Sequence, residues 1–155
     1  MDEKVAKVVD RMKRLCSRRE YCRKDIYRKV CEALDGDIEQ TEKIVDGLVR
    51  EKYVDDLRYS SAFARDKSSL AGWGTVKIRH ALSLKGISRD DISSALKEID
   101  EAKAKTRLER LIDNKYRNLK DDPQWRMKLL RFGLGRGYEY DAVSEVINGI
   151  CRDNR

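Results

Sequence analysis

The chain is 155 residues long, which suits one domain of ordinary size or a short array of small units. Charged residues make up 41% of it, hydrophobic residues 40% and aromatics 7%, with a single proline, a balance that favours helices around a thin aliphatic core. The net charge of +7 points to an anionic partner, while the lack of any CxxC pair, of a second histidine and of an apolar run of roughly twenty residues argues against a zinc site and a membrane span.

An amphipathic helix opens the chain over residues 1–14, since Val5, Val8, Val9 and Met12 recur on one face. A first three-helix repeat is expected over 15–54. Ile26 and Val30 face the core of its middle helix, and Ile44, Val45 and Leu48 supply the stripe of its last one. Between those helices Gly36 makes the corner, with one extra residue in the turn.

A second repeat is expected over 55–100, with helices at Asp56–Leu70, at Gly74–Leu84 and from Ser88 onward. Asp55 and Asp56 stand where the first of these begins. They read as helix caps and not as an acid pair, because no His, Cys or Lys is placed to partner them in proton transfer. Ile78 and Leu82 face the core of the middle helix. Gly86 closes that helix in a left-handed conformation, Ile87 makes the contact that follows such a cap, and Ser88 with Asp91 resembles a capping box. Ile92, Ala95 and Leu96 then form a buried stripe.

No helix breaker occurs between Ser88 and Leu119, so one long helix, or two with a bend near Asp100, links this repeat to a third over 101–155. There Asp122 is expected to cap a helix with Pro123 at its first position. Leu129 takes the place of Ile78, but Gly133 takes that of Leu82, so this repeat should pack differently. Gly137, Tyr138, Val143, Val146 and Ile147 repeat the corner and the stripe. Gly36, Gly86 and Gly137 thus recur at intervals of about fifty residues, the mark of a repeated supersecondary unit. The expected fold is all-α: three tandem three-helix repeats in an elongated, curved array, with an extra N-terminal helix.

The charge is banded. Residues 11–29 hold nine Lys or Arg against Glu20 and Asp25, residues 30–56 nine acidic against three basic residues, and residues 57–89 seven basic residues against Asp66 alone. The candidates for an anionic partner are therefore Arg58, Arg65, Lys67, Lys77, Arg79, Lys85 and Arg89 in the second repeat. Arg126, Lys128, Arg131 and Arg136 extend the set in the third. About a third of them should matter, because few interface residues carry most of the energy. Trp73, between Gly72 and Gly74, is either an exposed anchor or stacking platform or the packing of a short turn, and packing is favoured. Phe63 and Phe132 are expected in the core, His80 on the surface, and Tyr53 and Tyr59 at the junction of repeats. Of Cys16, Cys22, Cys31 and Cys151, Cys31 lies in an apolar stripe and should pack as a small hydrophobe. Nothing calls for a cofactor or a metal, and reduced thiols in the cytoplasm are the default expectation.

These residues also carry a family resemblance. YVDDLRYSSAF, Tyr53 to Phe63, resembles the YLDDxRFAxxF motif of the RecX family. Gly72, Trp73 and Gly74 resemble its G-[YW]-G, and the likeness runs on through IRHAL and KGIS, Ile78 to Ser88. KLLRFGLGRGYEYDAV, Lys128 to Val143, is similar to KLxRFLxRRGFxxxxI, and the resemblance covers Tyr21 to Ile150. Departures are Lys52 for the usual glycine before Tyr53, Ser60 for alanine, Gly133 for a larger apolar residue, and the altered first glycine turn. The resemblance implies a non-enzymatic regulator of recombination and repair, including the SOS response, built of three tandem three-helix repeats. It implies a monomer that lies in the groove of the RecA filament on single-stranded DNA and blocks filament growth, so that ATPase, strand exchange and co-protease activity fall. Weak direct DNA binding is compatible with it. The rival reading is a helix-turn-helix-like DNA-binding protein acting without RecA, which the glycine corners permit, although no repeat shows a distinctive recognition helix. An enzyme is disfavoured by the lack of a Walker-type loop, a metal cluster or a triad.

Overall fold

The computed structural model describes residues 2–153, which form helices and turns with no strand among them. The helices are α1 (Glu3–Arg18), α2 (Arg23–Ala33), α3 (Ile38–Arg50), α4 (Asp56–Ser69), α5 (Thr75–Leu84), α6 (Arg89–Lys97), α7 (Glu101–Leu119), α8 (Trp125–Gly135) and α9 (Tyr140–Asp153). The all-α expectation holds, and no helix of the described residues is long and apolar enough to cross a membrane. The chain divides into two compact units. One takes the chain up to Ala62 together with Leu82–Ala95, and the other takes Phe63–Ala81 and the chain from Leu96 on. The second predicted repeat is therefore shared between them, with α4 and α5 each starting in one unit and ending in the other.

In the first unit the expected stripes do meet. Val5, Val8 and Met12 of α1, Ile26 and Val30 of α2, and Ile44, Val45 and Leu48 of α3 form one buried cluster with Leu34 and Val54. Each large side chain fully buried there contributes roughly 1.5–3 kcal/mol. The helix ends are capped by side chains: Asp37 accepts from the Gln40 amide at 3.1 Å, and Ser88 from the Asp91 amide at 3.2 Å. The extra residue of the first corner is visible in the backbone, where both Asp35 (φ 55) and Gly36 (φ 85) are left-handed. Gly86 makes its corner alone at φ 74 and buries Ile87 behind it, while Ile38, after the longer first turn, stays exposed. One more departure from the family pattern leaves a mark: Ser60 is fully buried and its hydroxyl finds no partner among the described residues.

The core of the second unit is built from Leu108 and Ile112 of α7, Leu129 of α8, and Tyr138, Val143 and Ile147 around the last corner. Gly133 lets α8 and α9 approach closely, since a Cβ built there would lie 2.6 Å from Val143 Cγ1.

Of the two links expected between repeats, the two-helix form is the one present: α6 ends at Lys97, and Asp100 caps α7 by accepting from the Lys103 amide at 3.1 Å. Other expectations need correction. Asp122 does not cap α8, whose N-cap is Gln124; instead it accepts from the Gln124 amide at 2.8 Å and shapes the turn before the helix, with Pro123 in that turn. Phe63 and Phe132 are half-buried rather than fully in the core; Phe132 packs against the core of the second unit, and each ring has a lysine ammonium beside it. Cys31 is only partly buried, and the fully buried cysteine is Cys22, before α2. Leu96 and Val146 sit at the rim of their stripes and are only partly buried.

Candidate functional site

Asp55 and Asp56 are both caps, but of different helices. Asp55 Oδ1 accepts from the Arg58 amide at 3.0 Å in the first turn of α4. Asp56 Oδ1 accepts from the Arg23 amide at 2.7 Å, at the start of α2, whose own N-cap residue Cys22 makes no side-chain cap. Burial pushes the Asp56 carboxyl above the ordinary range, and the Arg23 amide only partly offsets it. Tyr53 nearby is half-buried against the same core, with the Lys13 ammonium 5.1 Å from its ring centre. Burial also pushes the Tyr59 hydroxyl up to about 12.

The eleven candidate cations separate by what their side chains do. Arg58 Nε pairs with Glu20 at 2.6 Å, and the Lys85 ammonium with Asp25 at 3.0 Å. Lys128 pairs with Asp122. Arg126 donates to the Asn148 side chain at 3.2 Å, and Arg136 to the Ala71 carbonyl at 2.9 Å. These five are tied to their own fold. Arg65, Arg79, Arg89 and Arg131 are exposed, and their side chains make no hydrogen bond or ion pair with another described residue. Lys67 and Lys77 have a third arrangement: their ammonium groups lie 4.7 Å and 4.4 Å from the centre of the Trp73 ring.

The loop that carries Trp73 is held from below. Gly72 turns left-handed at φ 69, and the Trp73 amide returns to the Lys67 carbonyl at 2.9 Å. The amides of Gly74 and Val76 donate to the carbonyls of Arg136 and Gly137 at 2.8 Å and 2.9 Å. The Tyr138 hydroxyl donates to the Gly72 carbonyl at 3.1 Å. Backbone meets backbone so closely that a Cβ on Gly74 would lie 2.3 Å from the Gly137 carbonyl oxygen. Gly137 therefore serves twice, as a left-handed corner (φ 91) and as a contact without room for a side chain. Trp73 itself is half-buried, edge-on to Phe63 with ring centres 6.1 Å apart. Trp73 thus packs the turn, as the favoured reading has it, while remaining partly exposed.

Sequence reasoning missed the partners of this loop. Tyr138 was expected only as a corner contact, and Arg107, which donates to the Ser68 hydroxyl at 2.7 Å, not at all. Nothing local marks either, since both reach across to residues distant in sequence. The order G-W-G and G-Y was the only available hint. His80 is exposed, as expected.

Comparison with known proteins places these features in context. The descriptions "RecX, second three-helix domain" and "RecX, third three-helix domain" match residues 55–96 and 104–147. The chain is 36% identical to the Regulatory protein RecX of Clostridium botulinum (strain Alaska E43 / Type E3), over 72% of this chain and 53% of that one. It thus spans about half the length of that relative. With the Regulatory protein RecX of Pseudomonas entomophila (strain L48) the identity is 32% over 87% of this chain and 86% of the relative. The crystal structure of RecX from Lactobacillus salivarius superposes with a TM-score of 0.83 at 18% identity, covering 96% of this chain and 97% of that one. A second crystal structure, of regulatory protein RecX, gives 0.84 at 22% identity, covering 94% and 72%. At those identities the two structures speak for the fold alone.

Proposed function

The chain belongs to the RecX family, and on that premise we propose that it regulates the RecA recombinase by binding the RecA filament on single-stranded DNA. In this reading it restrains filament growth, and the ATPase, strand exchange and co-protease activity of RecA decline with it. It acts as a monomer in the cytoplasm, through contact and without chemistry of its own, as a three-repeat protein divided at 15–54, 55–100 and 101–155. The observation that supports the contact surface is the set of free guanidinium groups. Arg65 and Arg79 on α4 and α5, and Arg131 on α8, are exposed with no partner among the described residues. An unpaired guanidinium fork suits the carboxylates of a protein partner and the phosphates of DNA alike. The five cations already tied to the fold are assigned to stability instead, so Arg58, Lys85, Arg126, Lys128 and Arg136 leave the proposed contact surface.

The test is RecA ATPase on single-stranded DNA, with this protein titrated from far below equal stoichiometry upward. Turnover is expected to fall well before one protein per RecA protomer is reached, because a growing filament is stopped at few points. An unchanged rate together with no binding to the filament would remove the regulator reading.

A further inference from the structure

The geometry points to Lys67, Trp73 and Lys77 as a seat for the phosphodiester backbone of single-stranded DNA. The inference rests on the regulator reading for the identity of the strand and goes beyond it by naming where this chain touches DNA. Two ammonium groups are gathered on one indole ring, at 4.7 Å and 4.4 Å from its centre. Neither takes part in any ion pair of the described residues. The ring attracts each cation, but only weakly at a partly exposed site, and it does nothing to cancel the repulsion between them. An anion set among them does. Phosphate is taken well by ammonium groups acting as point charges, which need no fixed fork geometry. Cations set beside an aromatic ring are also the combination used by single-strand binders.

The seat is built, not incidental. The Trp73 amide is fixed to the Lys67 carbonyl at 2.9 Å, and the chain after it is fixed through Val76 to Gly137 at 2.9 Å. A Cβ on Gly137 would lie 2.2 Å from Lys77 Cβ, so the position of Lys77 depends on that glycine. Arg136 and Tyr138 act as positioning residues, holding the carbonyls of Ala71 and Gly72.

The experiment uses the whole chain and an oligothymidylate without RecA. Trp73 and Trp125 are the two tryptophans, so in a Trp125→Phe background the emission reports Trp73 alone. Circular dichroism checks that helix content is kept. Oligothymidylate is expected to quench that emission. Lys67→Gln with Lys77→Gln is expected to weaken binding about tenfold and to lower the slope of log affinity against log salt by about 1.4, at roughly 0.7 per single-strand phosphate contact. Absent quenching, or an unchanged slope in the double variant, overturns the inference. If the double variant binds the oligonucleotide normally but no longer lowers RecA ATPase, the seat faces protein; the inference fails and the regulator reading stands. If the oligonucleotide quenches and the slope falls while the parent protein leaves RecA ATPase unchanged, the seat stands and the regulator reading fails.

Discussion

At the scale of single residues, Lys52 shows how a departure from the family pattern becomes strain. It occupies the place of the usual glycine before Tyr53, and its backbone is left-handed at φ 70. A residue with a Cβ pays roughly 1–2 kcal/mol for that conformation, while glycine adopts it freely. Glycine loses more freedom on folding, which returns part of the gain. Lys52→Gly is therefore expected to raise stability by about 0.5–1 kcal/mol, read as a higher urea midpoint at unchanged slope. A lower midpoint would mean that the lysine side chain compensates for its backbone. The Asp25–Lys85 pair gives a second residue-scale prediction. Burial raises the Asp25 carboxyl, but the hydrogen bonds from Lys85 and Cys22 outweigh it and hold it below the ordinary range. A folded-state pKa below the unfolded one means that the stabilisation is complete above the unfolded value and is lost as pH falls through the folded value. The melting-temperature gap between the protein and Lys85→Met should be wide at neutral pH and narrow below about pH 4. A gap that stays constant across that range would deny the pair this role.

At the scale of elements, the close approach of α8 and α9 depends on Gly133, whose added Cβ would lie 2.6 Å and 2.7 Å from the two methyl groups of Val143. Gly133→Ala is expected to cost about 1–3 kcal/mol by overpacking. Combined with Val143→Ala the cost should be less than the sum of the single changes, with a coupling of about 1 kcal/mol or more in a double-mutant cycle. Additive costs would show that the helices can separate to admit the methyl group. That glycine was legible in the sequence as an oddity, because it broke a stripe that Leu129 began. The stripes themselves were legible wherever a helix buries a single face, as Val5, Ile26, Ile44 and Ile112 show by their burial. The break at Asp100 was legible only as an alternative, since an aspartate suits a helix interior almost as poorly as it suits a cap well. What could not be read was long-range pairing. Asp56 is the first residue of α4, yet its side chain caps α2. The Trp73 loop reads as a packed short turn, but nothing local shows that it rests on the corner at Gly137.

At the scale of the whole molecule, the count of 35 Lys and Arg overstates the surface available to a partner, because several of them are occupied within the fold. Composition counts Arg79, Arg131 and Arg136 alike; the structure does not. Arg79 and Arg131 are exposed and unbonded among the described residues, so reversing their charge should change stability by no more than about 0.5 kcal/mol. Each of Arg79→Glu and Arg131→Glu is instead expected to raise the concentration needed to halve RecA ATPase about tenfold, the equivalent of roughly 1.4 kcal/mol in binding. Arg136→Gln should do the reverse. It removes the donor to the Ala71 carbonyl and loosens the loop, lowering stability by about 1.5–3 kcal/mol, as for a hydrogen bond to a charged group. Any loss of ATPase inhibition should come with a loosened Trp73 loop, read as a shift in Trp73 emission that neither Arg79→Glu nor Arg131→Glu causes. The contrast carries the weight, because a protein that bound RecA through net charge alone would respond only in proportion to the charge removed, two units for each reversal and one for Arg136→Gln. A response in that proportion would return the candidate surface to a diffuse basic field. A split along the line between free and bonded arginines would locate the contact on α5 and α8.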